Sequence, residues 1–156
     1  MAGPTQEPPR YRLNVAGILQ RTDGRILICE RFKEPGAWQF TQGGVNPGET
    51  LEQALAREME EEISLRSEDY LIITRKGPYR YLFGKGRNKK GFDGQQQTYF
   101  LTLMTCPETK INVTTPHQEF RRARWIAPAD FDLCWLPDFK REVYRAVLRD
   151  FFGIDR

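Results

Sequence analysis

Residues 43–65 read GGVNPGETLEQALAREMEEEISL, and this stretch carries the first assignable element. Thr50 followed three residues later by Gln53 is a capping-box start. Leu51, Leu55, Met59 and Ile63 recur every fourth residue, so a helix with one apolar stripe is expected over 50–63. On that helix Glu58, Glu61 and Glu62 stand at i, i+3 and i+4, within about 100° of one another at about 100° per residue. Like charges this close destabilise a helix unless something compensates. A divalent cation would do so; oxygen-only ligands suit Mg²⁺ or Mn²⁺, and the lack of nearby His or Cys argues against zinc. Taken alone, the run EMEEE also reads as a solvated acidic face.

Working outward, Leu13–Leu19 and Arg25–Cys29 read as strands joined at an Asp23-Gly24 turn signal. Residues 35–48, rich in glycine and proline, read as a loop around Trp38-Gln39-Phe40, with Trp38 and Phe40 as packing residues. Tyr70–Ile73 and Thr98–Leu103 are further strands, and Ala123–Ile126 a short one. A second helix is expected over Asp138–Phe152, with Phe139, Val143, Val147 and Phe151 on one stripe and Gly153 as its stop. Residues 1–9 contain three prolines and read as a loose arm, leaving 10–156 as a single domain of α/β (α+β) class.

The chain has 156 residues and a net charge of +3, too small a surplus to signal nucleic-acid binding alone. No apolar run approaches the roughly 18 residues that span a bilayer, so no membrane association is expected. Three scattered cysteines and no leader-like N-terminus suit a reducing cytoplasm. His117, the single histidine, makes a His-based metal site or acid–base pair improbable. Nothing points to an obligate protein partner.

The 43–65 stretch resembles the Nudix box, Gly-x5-Glu-x7-Arg-Glu-U-x-Glu-Glu-x-Gly-U, with U a bulky aliphatic residue. Gly43, Glu49, Arg57, Glu58, Glu61 and Glu62 fall on its fixed positions, a coincidence of about 10⁻⁷ per starting point. One departure is Ser64 in place of a glycine expected to end the helix in a left-handed conformation. The resemblance implies an α/β/α sandwich around a mixed β-sheet, and hydrolysis of a nucleoside diphosphate linked to another group, with Mg²⁺ or Mn²⁺. It implies metal ligation by Glu58, Glu61, Glu62 and the Gly43 carbonyl. Arg57 would orient a glutamate, Glu49 would brace the loop, and Glu58 is one candidate base.

Most of the chain is similar to bacterial RNA pyrophosphohydrolases and to plant-type diadenosine tetraphosphate hydrolases. The similar segments are Tyr11-Arg12-x-Asn14-Val15, WQFxQGGxNPGE over residues 38–49, Gly94-Gln95-x-Gln97-x-x-Phe100-Leu101, and Phe139-Lys140-Arg141-x-Val143-Tyr144-Arg145. Thr41 and Thr98 stand where these relatives have a proline and a basic residue. The likeness places Arg12, Gln42 and Gln97 among substrate-binding candidates. It aligns Glu119 with a glutamate that supplies a further metal ligand or the base; from the residues alone, Glu119 is equally a surface glutamate.

Between Arg75 and Lys90 lie seven basic residues and no acidic one, interleaved with Tyr79, Tyr81 and Phe83. The segment reads as a long flexible loop, either plainly solvated or a substrate lid with Lys85 and Arg87 on phosphates. Tyr79 and Tyr81 resemble adenine-stacking tyrosines, and Phe139 either packs a base or lies in the core. Arg121, Arg122 and Arg124 form a second basic cluster that a solvent-facing strand explains equally well. The expected activity is cleavage of 5′-polyphosphates, either on triphosphorylated RNA ends or on dinucleoside polyphosphates. The rival reading is a catalytically silent nucleotide- or RNA-binding sensor of the same fold.

Overall fold

The computed structural model describes residues 7–84 and 89–155. Seven strands form one mixed sheet: β1 (Tyr11–Gln20), β2 (Ile26–Arg31), β3 (Trp38–Gln39), β4 (Thr41–Gly44), β5 (Tyr70–Leu82), β6 (Gly94–Met104) and β7 (Phe120–Ile126). The order β3-β2-β1-β6-β5 has β4 added on β1 and β7 on β2. The β1–β6 pair is parallel, and every other pairing is antiparallel.

Successive side chains on β1 and β2 alternate between two cores, as a strand's period of two requires. Ala16, Ile18, Ile26 and Ile28 join Val143, Tyr144, Val147 and Leu148 of α2 (Asp138–Phe152) on one face. Val15, Leu19, Leu27 and Cys29 join Ala54, Leu55, Met59 and Ile63 of α1 (Leu51–Ile63) on the other. This is the expected α/β/α layering. Each fully buried Leu, Met or Ile in these layers contributes about 1.5–3 kcal/mol by leaving water.

The capping box forms as its residues dictate: Thr50 Oγ1 accepts from the Gln53 amide at 3.1 Å, and Gln53 Oε1 accepts from the Thr50 amide at 2.9 Å. Helix α1 lies close on β1 because position 17 is glycine. A Cβ there would meet Leu55 Cδ1 and Met59 Sδ, both at 3.0 Å. Ser64 ends α1 at φ 66°, the left-handed conformation read from the motif, and its Oγ donates to the Asn112 carbonyl at 2.7 Å.

Two segments read as loops are strands. Residues 38–44 form β3 and β4 because β2 and β1 offer partners: Glu30 faces Trp38, and Asn14 through Gly17 face Gly44 through Thr41. Arg75–Leu82 continues β5 along β6 out to Leu82 opposite Gly94, interrupted by register shifts at Ile72/Thr74 and Lys76/Tyr79. Gly77, at φ 147°, sits in the second interruption. Pro78 and the glycines hid the aromatic alternation that makes this half a strand. Residues 7–10 are exposed and without regular structure; the remainder of the arm lies outside the described residues.

Candidate active site

The second row of α1, one position before the apolar stripe, is Ala54, Glu58 and Glu62. All three are buried, Glu58 at 9% and Glu62 at 3% relative exposure. The row faces β4. A Cβ on Gly43 would stand 2.1–2.4 Å from the carboxyl atoms of Glu58, so that carboxylate rests directly on the Gly43 Cα. Burial first, then the hydrogen bond and charge of Glu58 and the charge of Glu119, push the Glu62 carboxyl well above the usual carboxylate range. An amide hydrogen bond from Gln42 works in the opposite direction.

Arg57 ties this helix to the preceding loop. Its Nε and one terminal nitrogen grip Glu49 as a fork at 2.7 and 2.8 Å, and that second nitrogen also donates to the Gly44 carbonyl at 2.8 Å. The other terminal nitrogen donates to Glu58 Oε1 at 2.7 Å and reaches Glu61 at 3.4 Å. Glu49 in turn accepts from the Asn46 amide at 2.7 Å. The Arg57 fork holds the Glu49 carboxyl down at about 2. Arg57 thus orients Glu58, and Glu49 braces the loop. At the other end of β4, the Phe40 amide donates to the Tyr144 hydroxyl at 3.2 Å, pinning the β3–β4 corner to α2.

A cleft of about 400 Å³ brings together Gly43, Glu58, Glu61, Glu62 and Glu119 under a rim that includes Arg12, Arg31 and Lys89. Gln42, Gln95, Asn14 and His117 also line it. A second lobe of about 420 Å³ shares Arg31, Gln42, Lys89, Gln95 and Glu119 with the first. It adds Tyr81, Phe83, Phe139 and Lys140. The ring centroids of Tyr81 and Phe139 are 5.7 Å apart, and the Tyr81 hydroxyl donates to Gln95 Oε1 at 2.5 Å. Burial, with Arg31 and Lys89 nearby, pushes the Lys140 ammonium down to about 8.

The donor chemistry fits a hard divalent cation. Glu58, Glu62 and Glu119 line one cleft with oxygen-only donors, and Gln42 Oε1 is buried with no hydrogen-bond partner among the described residues. As they stand, no three acidic, His or Cys side chains among the described residues converge closely enough to enclose an ion. Arg57 draws Glu58 and Glu61 to itself, and Glu62 bonds Glu58. A cation entering this set would replace the proton shared by Glu58 and Glu62 as the compensating charge.

Not every candidate reaches the cleft. Gln97 is buried beneath it, donating to Asn14 Oδ1 at 2.9 Å, and supports rather than lines it. Tyr79 is turned away: its hydroxyl donates to Asp150 at 2.8 Å and its ring packs edge-on against Tyr99. The stacking role read for Tyr79 is therefore corrected, because α2 supplies a closer polar partner. Lys85 and Arg87 lie outside the described residues. Trp38 and Phe40 are buried packing residues, as expected. Lys89, one of the basic residues of the segment read as a candidate lid, lines the cleft, whereas Arg31, Asn14, Gln95, Lys140 and His117 escaped the sequence reading as cleft residues. Arg31 and His117 stood in no motif, and Gln95 and Lys140 stood in recognised segments but were given no role there.

Comparison with known proteins gives one consistent picture. The NUDIX domain family model matches residues 10–151. The RNA pyrophosphohydrolase of Baumannia cicadellinicola subsp. Homalodisca coagulata is 36% identical over 149 residues, covering 90% of this chain and 91% of that protein. The RNA pyrophosphohydrolase of Yersinia pestis (strain Pestoides F) is 37% identical over 154 residues, covering 90% and 83%. Among solved structures, the E. coli dihydroneopterin triphosphate pyrophosphohydrolase superposes with a TM-score of 0.68 at 20% identity, covering 91% of this chain and 97% of that one. The C. elegans Ap4A hydrolase binary complex superposes with a TM-score of 0.67 at 19% identity, covering 92% and 99%.

Proposed function

Because the chain belongs to the Nudix family and is a pyrophosphohydrolase of that family, we propose that its substrates are 5′-triphosphorylated RNA ends, hydrolysed with Mg²⁺ or Mn²⁺. The observation that carries this reading is the crowding of Glu58, Glu62 and Glu119 in one cleft beneath Arg12, Arg31 and Lys89. Carboxylates alone would repel a polyphosphate, and cations alone would leave nothing to hold a metal against it. Names of the relatives support the RNA reading, since two are RNA pyrophosphohydrolases at 36–37% identity.

Glu58, Glu62 and Glu119, with Glu61 and the Gly43 carbonyl at the rim, would hold the metal. Bound there, it would neutralise the phosphates and lower the pKa of an attacking water. Arg57 keeps the Glu58 carboxylate on Gly43. Glu119, which lines the same cleft outside the Arg57 clamp, would take the proton from the water. Arg12, Arg31 and Lys89 orient the phosphate chain by charge-assisted hydrogen bonds. The lobe lined by Tyr81, Phe83 and Phe139 receives a base on its aromatic faces. Tyr79 is committed to Asp150, which removes one of the two tyrosines on which the dinucleoside polyphosphate reading leaned. A silent sensor has no need for a buried acidic row whose like charges destabilise its own helix.

Residues 10–156 form the catalytic domain in this reading. No helix among the described residues is long and apolar enough to cross a membrane, and three free thiols suit a reducing cytoplasm. The test is a side-by-side rate comparison on triphosphorylated RNA, diadenosine tetraphosphate and a sugar nucleotide, with and without chelator. RNA is expected to be cut fastest, with loss of activity on chelation. Glu62→Gln should lower turnover by at least about 10²-fold with the fold intact. Faster cleavage of the dinucleotide would overturn the substrate, and chelator-resistant hydrolysis would overturn the metal.

A further inference from the structure

Strand β7 leaves the cleft at Glu119 and immediately carries Arg121, Arg122 and Arg124. The pairings Arg124 with Ile28 and Ile126 with Ile26 place Arg122, Arg124 and Ile126 on the α2 face of the sheet. There the Arg124 guanidinium lies over two indoles, its Cζ 4.4 Å from the Trp38 ring centre and 5.4 Å from that of Trp135. Arg122 lies 5.3 Å over Trp38 and donates to Glu30 at 2.7 Å, while Arg121 approaches the same carboxylate at 3.6 Å. Two arginines therefore share one glutamate, and Arg124 stands beside them. Arg124 has no ion pair among the described residues, and the Arg122 side chain is 68% exposed.

Stacking on indole holds a guanidinium flat with its N–H edge presented to a phosphate oxygen; Arg124 presents that whole edge, while Arg122 gives Nε and, at 3.5 Å, one terminal nitrogen to Glu30 and presents the other. The strip is also continuous with the cleft. Arg31 ends the strand paired with β7, and it lines both lobes. Trp135 is two residues before Pro137, which lines the aromatic lobe.

We propose that Arg122 and Arg124, stacked on Trp38 and Trp135, bind the phosphodiester backbone of single-stranded RNA downstream of the 5′ end being hydrolysed. This rests on the RNA reading above and deepens it: the enzyme recognises a chain, not only a triphosphate. Phosphate contacts of this kind are salt-sensitive, with a slope of about 0.7 in log affinity against log salt for each single-strand phosphate.

The experiment compares a 5′-triphosphorylated dinucleotide with one of about 12 nucleotides, within the roughly 4–16 that single-strand sites cover. The dinucleotide carries a single internucleotide phosphate and so serves as the readout of the catalytic cleft. For Arg122→Gln/Arg124→Gln, KM on the longer RNA should rise on the order of tenfold at 0.1 M salt while the dinucleotide kinetics hold. The salt slope for the longer RNA should fall by about 1.4, so that between 50 and 200 mM the wild type loses about sevenfold more affinity than the variant. Arg124→Gln alone, which leaves Glu30 paired, should lower the slope by about 0.7. An unchanged slope and KM on the longer RNA would overturn the proposal while leaving the RNA reading standing. A wild type that hydrolyses neither RNA would overturn the reading itself, and this inference with it.

Discussion

Replacing Gly43 by alanine tests the geometry at its tightest point. The new Cβ would lie 2.1 Å from Glu58 Cδ and 2.2 and 2.4 Å from its two carboxylate oxygens, against an ordinary contact distance of 3.4–4 Å. Gly43 does not have a positive φ, so its backbone accepts alanine without strain. The Glu58 carboxylate must therefore retreat by at least about 1 Å. Displacement on that scale typically costs about 10²-fold in rate, or about 2.7 kcal/mol in barrier. The fork from Arg57 to Glu49 does not involve Glu58 and survives, so the melting temperature should move by only a few degrees. The assay is kcat on triphosphorylated RNA beside a thermal melt, with Mn²⁺ affinity measured by calorimetry. Turnover within about threefold of wild type, with unweakened Mn²⁺ binding, would refute the placement of Glu58 as a ligand held by Gly43.

Other expectations follow from single contacts. Ser64→Gly relieves about 1 kcal/mol of left-handed strain but loses the Oγ bond to the Asn112 carbonyl, so its stability should match wild type. Ser64→Ala loses the bond and keeps the strain, and chemical denaturation should show it about 1 kcal/mol weaker than either. Lys140, pushed down to about 8 by burial with Arg31 and Lys89 opposing it and Glu34 favouring its charge, should bind anions as a cation only below that pH. KM should therefore rise as pH climbs through about 8, and Lys140→Met should abolish that rise. Because its folded pKa lies below the unfolded value of 10.5, its contribution to unfolding free energy should increase with pH between about 8 and 10.5. Glu49 gives the same sign of slope in an acid window. With its carboxyl held at about 2, its stabilisation is complete above 4.5 and is lost as pH falls from there toward 2; acid melts of Glu49→Gln should lack that decline.

Local chemistry made one helix and its chemistry legible before any fold was known. Thr50 and Gln53 cap each other wherever they stand three apart, and a four-residue apolar spacing needs a surface to cover. Glu58 and Glu62 share a face through helical geometry alone, and Ser64 had to take the left-handed corner because the motif ends there. These are short-range consequences of 3.6 residues per turn. What a chain cannot announce locally is which of its glycines another segment will press against, or which tyrosine a distant helix will claim. Gly43 became a seat for Glu58 only because β4 pairs with β1 beneath α1. Tyr79 and Tyr81 differ by two residues, yet Asp150 holds one while the other lines the cleft. Arg31 and Lys140, more than a hundred residues apart, face one lobe because the sheet and α2 bring them there. Long-range pairing, which depends on partners outside any window of sequence, decided those positions.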